Sequence, residues 1–529
     1  MKNFFKTIIF ALSIGALSSC LNDLNVTPKD DDEILTDQFL SNTNSYKQYM
    51  AKAYGGLVMG GNNGDDQADI SGIRGDFSSY LRLLFTVQEL PTDEAVIAWA
   101  DGNLPSMNQH TWTPNNEFIY GMFSRASYQI ALNNEFLKQT TEEKVSQRGH
   151  SSMWEEIKLY RAEARFLRAL SYWHLIDEFG SIPFATENDT FGSNQFPPQK
   201  SREFVFDYII SELSDIEGIL PAPRGNEYGR AYQAAVWMLK AKLYQNARVY
   251  INKSMDTETL TELNKILNSN DYSLSTSYKN LFTADNNTNG AQNEIIFPII
   301  HDGTNIRANG GITYVMHAAI GGNMNASDYG LNGGWYGLRA KKDIVMKFMD
   351  ASLNIVDTRG SFFTDGQTLD VTTIGNFNNG YAVTKYTNKN SDGTNGADMQ
   401  YGDTDFPMFR LGDVYLMYAE AVLRGGTGGS ISTALDFVND LRDRGTATTI
   451  STSQLTLPFL LDERARELHW ECHRRTDLIR FGAFSGSSYI WEWKGGSKDG
   501  VSIDSKYNLY PIPSVAIAGN PTLKQNTGY

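Results

Sequence analysis

The chain has 529 residues, 41% of them hydrophobic and 12% aromatic, and a formal charge of -15. That much apolar material can bury a large core, which it must do unaided, because two cysteines, Cys20 and Cys472, are too few for a disulfide framework. The acidic balance, with no block of lysine and arginine, excludes nucleic acid as an expected partner. The chain opens with a basic start, Met1 to Lys6, then an apolar run from Ile8 to Leu17 and the tetrad Leu17-Ser18-Ser19-Cys20. The run is about half of the roughly 20 residues a membrane helix needs, so residues 1–19 fit a cleaved signal peptide. A cysteine directly after small residues suggests a bacterial lipobox, in which Cys20 carries the acyl chains and anchors the protein without spanning the membrane. Residues 20–40, with the acidic run Lys29-Asp30-Asp31-Asp32-Glu33, are then a solvated tether before a single domain over 41–529, with halves at about 41–220 and 270–529.

Helical periodicity dominates the first half. Trp154, Ile157, Tyr160, Ala164, Leu167, Leu170 and Trp173 share one face of a helix predicted from Ser151 to Phe179. Ala162, Phe166, Ala169 and Tyr172 lie off that face, so the helix is expected to be buried on two sides. Ser201 is placed to cap a helix to about Gly218, and another is expected from Ala231 with Ala235, Leu239, Leu243 and Ala247 on one face. A third pair is predicted over 411–423 and 432–444, split by the glycine-rich 425–429. Recurring helix pairs without a strict 34-residue period predict a mostly α fold, either irregular tetratricopeptide-like units or a plain helical bundle. Between Asn286 and Asp405 the chain is rich in Gly and Asn, with β-like runs at Glu294 to Ile300 and Tyr381 to Tyr386. This region is expected to form a layer of loops and short hairpins over the helices, where binding residues tend to sit.

No nucleophile elbow, phosphate loop or dinucleotide fingerprint occurs in the sequence. His469 and His473, four residues apart, would share a helix face, but Trp470 stands where a zinc-protease helix needs Glu, so packing is the expected role. The alternating charges Arg464, Glu467, Glu471, Arg474, Arg475, Asp477 and Arg480 suit ion pairs along and between helices. A glycosidase needs only two carboxylates close in space. Asp93 and Glu94 are the first suspects, although Thr92 and Asp93 after a proline suit a turn or helix cap.

Several segments together resemble the SusD/RagB family over nearly the whole mature chain. They are the lipobox with Asn22-Asp23-Leu24, the stretch Glu89-Leu90-Pro91-Thr92-Asp93-Glu94, and Arg161 to Ala169. Glu463 to Leu468, Arg474 to Gly482, Tyr510-Pro511-Ile512-Pro513 and the closing Asn526-Thr527-Gly528-Tyr529 follow. The resemblance implies a right-handed helical scaffold with tetratricopeptide-like units, no catalysis and no required cofactor. It also implies anchoring in the outer membrane at the cell surface, with a SusC-like TonB-dependent transporter barrel as partner and a glycan as cargo.

The chain is similar to starch-binding members of that family, including Trp491 to Gly496, which makes α-glucan the favoured ligand. The positions that match their binding arc are Arg82, Trp99, Asn103, Tyr314 and Trp335. Aromatic rings stack on the apolar faces of pyranoses while Arg82 and Asn103 serve the hydroxyls, and Gly333, Gly334 and Gly337 leave the Trp335 ring accessible. Ile97 stands where starch binders carry a further aromatic, which shortens the arc and leaves a laminarin-type β-glucan or a fructan as alternatives. The resemblance further implies a possible structural calcium on Asp403 and Asp405, with the carbonyls of Ala291 and Gln292; hard oxygen donors suit that ion.

Overall fold

The computed structural model describes residues 36–61, 68–190 and 195–529. Cys20, the signal segment and most of the tether lie outside the described residues. The helices of seven or more residues there are α1 (Asn44–Gly55), α2 (Tyr80–Glu89), α3 (Glu117–Gln139), α4 (Trp154–Phe179), α5 (Arg202–Glu217) and α6 (Gln233–Gln245). They continue as α7 (Asp256–Ser269), α8 (Gly311–Ala318), α9 (Leu411–Leu423), α10 (Ile431–Arg444), α11 (Leu457–Glu467) and α12 (Arg474–Arg480). Successive helices pack as pairs: α3 on α4, α4 on α5, α6 on α7 and α9 on α10.

The strands are short and pair only in twos, all antiparallel: β1 (Val96–Ile97) with β5 (Leu338–Arg339), β2 (Ile182–Pro183) with β3 (Gln199–Lys200), β4 (Ile295–Ile299) with β8 (Phe406–Arg410), and β6 (Phe362–Phe363) with β7 (Ala382–Val383). The fold is therefore the expected mostly α one, with a loop layer fastened by two-stranded ladders. One apolar cluster extends from Leu40 to Leu523.

Local chemistry explains the element ends. The Ser201 hydroxyl accepts from the Phe204 N–H at 3.2 Å and starts α5, as its sequence position predicts. The helix predicted from Ser151 begins with a 3₁₀ turn, Ser151–Met153, and becomes α-helical at Trp154. From Ala162 to Phe179 only Arg165 escapes full burial, which accounts for apolar residues on more than one face.

Two expectations need correction. Of the run Tyr381 to Tyr386, Tyr381 bridges to Ala340 and Ala382 and Val383 pair as strand, whereas Lys385 and Tyr386 reach the carbonyls of His469 and Trp470. His469 and His473 share no helix face, because α11 stops at Glu467 and α12 starts at Arg474. Between them Trp470 and Cys472 both hold φ at 61°, a left-handed conformation that no α-helix accommodates.

The charged run does form ion pairs, deep inside the protein. Arg464 binds Asp413 at 2.9 Å and Asp477 at 2.7 Å, Arg410 binds Glu467 and Glu471 at 2.6 Å, and Arg480 binds Glu420 at 2.8 Å.

Candidate functional site

Two structural accidents of chain path bring distant aromatic residues together. All ten residues of α2 are buried, and α8 packs against it, so Arg82 and Tyr314 meet. The β1–β5 ladder, with Ile97 opposite Leu338, leads straight into Trp99 on one strand and back to Trp335 on the other. The Ala98 N–H donates to the Gly337 carbonyl at 2.9 Å, and the Trp99 indole Nε1 donates to the Trp335 carbonyl at 2.8 Å. Gly337 permits this approach, since a Cβ there would lie 2.7 Å from the Trp99 ring.

The Arg82 guanidinium is 4.3 Å from the Tyr314 ring centre, 4.4 Å from Phe77 and 5.7 Å from Trp99. It donates through Nη1 to the Asp76 carbonyl at 2.8 Å, and among the described residues it has no ion-pair partner. Burial lowers its pKa, opposed by Tyr314, Asp76 and Asp101; from an ordinary value of 12.5 it remains a cation. Burial also pushes the Tyr314 phenol up to about 12, against the pull of Arg82. Trp99 lies 6.0 Å from Tyr314 and 6.4 Å from Trp335, tilted to both.

These residues bound an open cleft of about 410 Å³ whose aromatic and cationic walls are Phe77, Arg82, Trp99 and Trp335. Its polar lining comes from Arg74, Asp76, Asp101, Asn309 and Gln400. Trp99 and Trp335 are half-buried, so each offers ring surface to the cleft. Arg74 pairs with Asp76 at 3.0 Å, and the Gln400 amide donates to the Asn309 side chain at 2.8 Å. Flat apolar rings beside fixed donors and acceptors are what a sugar ring requires, since its faces are C–H and its rim is hydroxyl.

Four of the five positions expected in the arc thus converge, with one change of role. Tyr314 is 1% exposed and backs Arg82 instead of facing the cleft. Asn103 is not part of the lining. Its carbonyl accepts from the Asn116 amide at 3.1 Å inside the turn before residues 105–109, and Asp101 reaches the cleft from that turn in its place. Ile97 is fully buried. Phe77, Asp76, Asp101, Asn309 and Gln400 were not foreseen. They lie in irregular segments where no periodicity marks a facing side.

The SusD family model matches residues 356–529. Over an alignment spanning 100% of this chain and 99% of the relative, the protein is 33% identical to the starch-binding protein SusD of Bacteroides thetaiotaomicron. The chain belongs to the SusD family. A further relative, SusD-like protein P25 of Formosa agariphila, is 27% identical over 72% of this chain and 75% of its own. Among solved structures, a SusD homolog from Bacteroides thetaiotaomicron superposes with a TM-score of 0.69 at 19% identity, covering 93% of this chain and 98% of that one. Surface glycan-binding protein A from the same species, in complex with laminarihexaose, gives 0.64 at 19% identity over 91% and 98%. These structural matches establish the SusD fold.

Membership in the SusD family makes this a binding protein and not an enzyme, and the suspected carboxylates agree. Asp93 and Glu94 are buried, and Asp93 is held in a two-pronged pair with Arg474 at 2.7 Å for both contacts. Neither lines the cleft.

The four residues implied for calcium do not share one centre. The β4–β8 register puts Ile299 opposite Phe406, so Asp403 and Asp405 sit beside His301 and Gly303 at one end of the ladder. Ala291 and Gln292 precede Ile295, at the other end. A five-residue strand at roughly 3.3 Å per residue separates them, whereas calcium ligands must share one centre at roughly 2.4 Å. The Gln292 carbonyl accepts from Arg224 at 3.0 Å and Asp403 accepts from Gly303 at 2.6 Å, whereas Asp405 Oδ2 has no hydrogen-bond partner among the described residues. Among the described residues no cluster of three or more His, Cys, Asp or Glu could hold a metal.

Proposed function

We propose that this protein captures glycan chains at the Arg82–Trp99–Trp335 cleft and delivers them, unmodified, to a SusC-like TonB-dependent transporter barrel in the outer membrane. Starch-type α-glucan is the favoured ligand. Acylated Cys20 holds the protein at the cell surface; no helix among the described residues is long and apolar enough to cross a membrane. The observation that carries this reading is the pair of half-buried indoles set beside a desolvated arginine in one open cleft. Likeness to the starch-binding protein of Bacteroides thetaiotaomicron over the full chain supports the choice of ligand.

The buried Ile97 favours a second reading within the same role. With no aromatic ring at that position the platform is shorter, which leaves room for a laminarin-type β-glucan or a fructan.

Affinity electrophoresis of the unlipidated protein in gels containing amylopectin, laminarin or levan decides between them. Retardation in amylopectin, lost in Trp335→Ala, is the expected result. Retardation only in laminarin or levan would move the ligand and keep the role, and free migration in all three would overturn the glycan reading.

A further inference from the structure

His317, on α8, lies directly behind the Trp335 indole. The two rings stack at 4.7 Å with an interplanar angle of 19°, and the Trp335 N–H donates to the His317 carbonyl at 2.7 Å. The imidazole is fully buried. Its Nδ1 is 2.7 Å from the Gly333 carbonyl and its Nε2 is 3.0 Å from the Gln400 carbonyl. Gly333 belongs to the loop that carries Trp335, and Gln400 to the loop that lines the cleft from the other side.

Carbonyl oxygens only accept, so both contacts are hydrogen bonds only when both ring nitrogens carry protons. The neutral ring can donate to one carbonyl and turns a lone pair on the other. We infer that His317 is a positioning residue of the cleft, a proton-dependent clamp that sets the plane of the Trp335 ring and ties the Gly333 and Gln400 loops together. The inference rests on the glycan reading of this cleft. In the imidazolium form the clamp makes two charge-assisted bonds and a cation–π contact with the indole, leaving the opposite indole face for a sugar.

The charged groups on the surrounding elements are Arg82 and Glu89 on α2 and Asp398 and Asp403 on the 398–403 turn. None contributes to the shift of His317. Burial lowers its pKa below the usual 6.5, and the two carbonyl contacts raise it. The ring is therefore neutral at pH 7.5, and glycan affinity rises as pH falls through the His317 titration.

The test uses the full mature chain, with Kd for maltoheptaose measured by calorimetry from pH 7.5 to 5.0 in the wild type and in His317→Gln, which is neutral throughout. Trp335 fluorescence, taken as the difference between the wild type and Trp335→Phe, is titrated over the same range, because an imidazolium stacked on indole quenches it. The expected result is about a fivefold gain in wild-type affinity on acidification, absent from His317→Gln, with a matching fluorescence inflection. Identical pH profiles in both proteins, with Trp335→Ala still abolishing binding, would overturn the clamp and leave the glycan reading intact. If neither maltoheptaose, laminarin nor levan binds at any pH, the glycan reading fails and fluorescence alone decides: an inflection lost in His317→Gln keeps the clamp, and a flat trace overturns it.

Discussion

Arg82 and Glu89 stand on the same buried helix, and burial acts on them in opposite senses. Arg82 starts from so high a pKa that it stays charged, and three aromatic rings replace part of its lost hydration. Glu89 has no such reserve: burial pushes its carboxyl up to about 8, and burial followed by the charge of Glu89 raises Glu94 as well. The folded state therefore keeps a proton that the unfolded chain releases near the usual 4.5. Between that value and about 8 the native state binds more protons, so this group's contribution to stability falls as pH rises. Glu89→Gln, neutral at every pH, should stabilise the protein by on the order of 1–3 kcal/mol at pH 8 and change little at pH 4.5. Urea unfolding at the two pH values checks this; equal effects at both would mean that Glu89 is ionised in the fold. At this scale the sequence was legible where the family resemblance supplied matching positions, as for Arg82, Trp99 and Trp335. It was not legible for Asp76, Asn309 or Gln400, which reach the cleft from separate loops with no local pattern. Asn103 stands outside the cleft because its carbonyl is taken by the Asn116 amide inside the turn, from which Asp101 reaches the lining.

The elements explain how such loops are held. Asn116 is buried at the head of α3, where its Oδ1 accepts from the Phe118 N–H at 2.9 Å and the Ile119 N–H at 3.0 Å. Its Nδ2 donates to the Asn103 carbonyl and to Ser106 Oγ at 2.9 Å. One side chain thus caps a 23-residue helix and pins the turn that presents Asp101. Asn116→Ala should cost about 1–2 kcal/mol and weaken glycan binding a few-fold. Asn116→Asp keeps the cap acceptor and loses the donor, so it should recover most of the stability and little of the affinity. Thermal melts paired with calorimetric titration separate the two effects, and full affinity in Asn116→Asp would show that the pin is idle. Helices such as α4 and α9 were readable because their apolar spacing repeats over many turns. The break at residues 468–473 was not, because Trp470 and Cys472 adopt positive φ only under tertiary contacts such as Glu94 accepting from the Trp470 N–H at 3.0 Å. Helical spacing carried no warning of it.

Across the whole molecule, charged residues from the two ends of the chain meet in the interior. Asp93 pairs with Arg474, Glu178 with Arg475 at 2.8 Å, and the Trp112 indole donates to the hydroxyl of the terminal Tyr529 at 2.9 Å. Burial alone would raise the Asp93 pKa, yet the Arg474 guanidinium holds it well below the usual carboxylate range. The pair is worth having only intact. Arg474→Met would leave Asp93 buried without its counter-charge, a loss of about 3–5 kcal/mol, even though the substituted residue is far in sequence from the helices it supports. Because the stranded carboxylate, Asp93, lies in the loop that follows α2, the damage should spread through the N-terminal helices and not stay local. Circular dichroism and tryptophan fluorescence should then report one coincident unfolding transition, shifted to lower denaturant in Arg474→Met and partly restored in Asp93→Asn/Arg474→Met, where no buried charge is left alone. Two separated transitions would mean that the halves fold independently and that the interior ion pairs join finished parts. A single shifted one means that residues 93 and 474 complete the same core, the core on which the cleft at Trp99 and Trp335 is built.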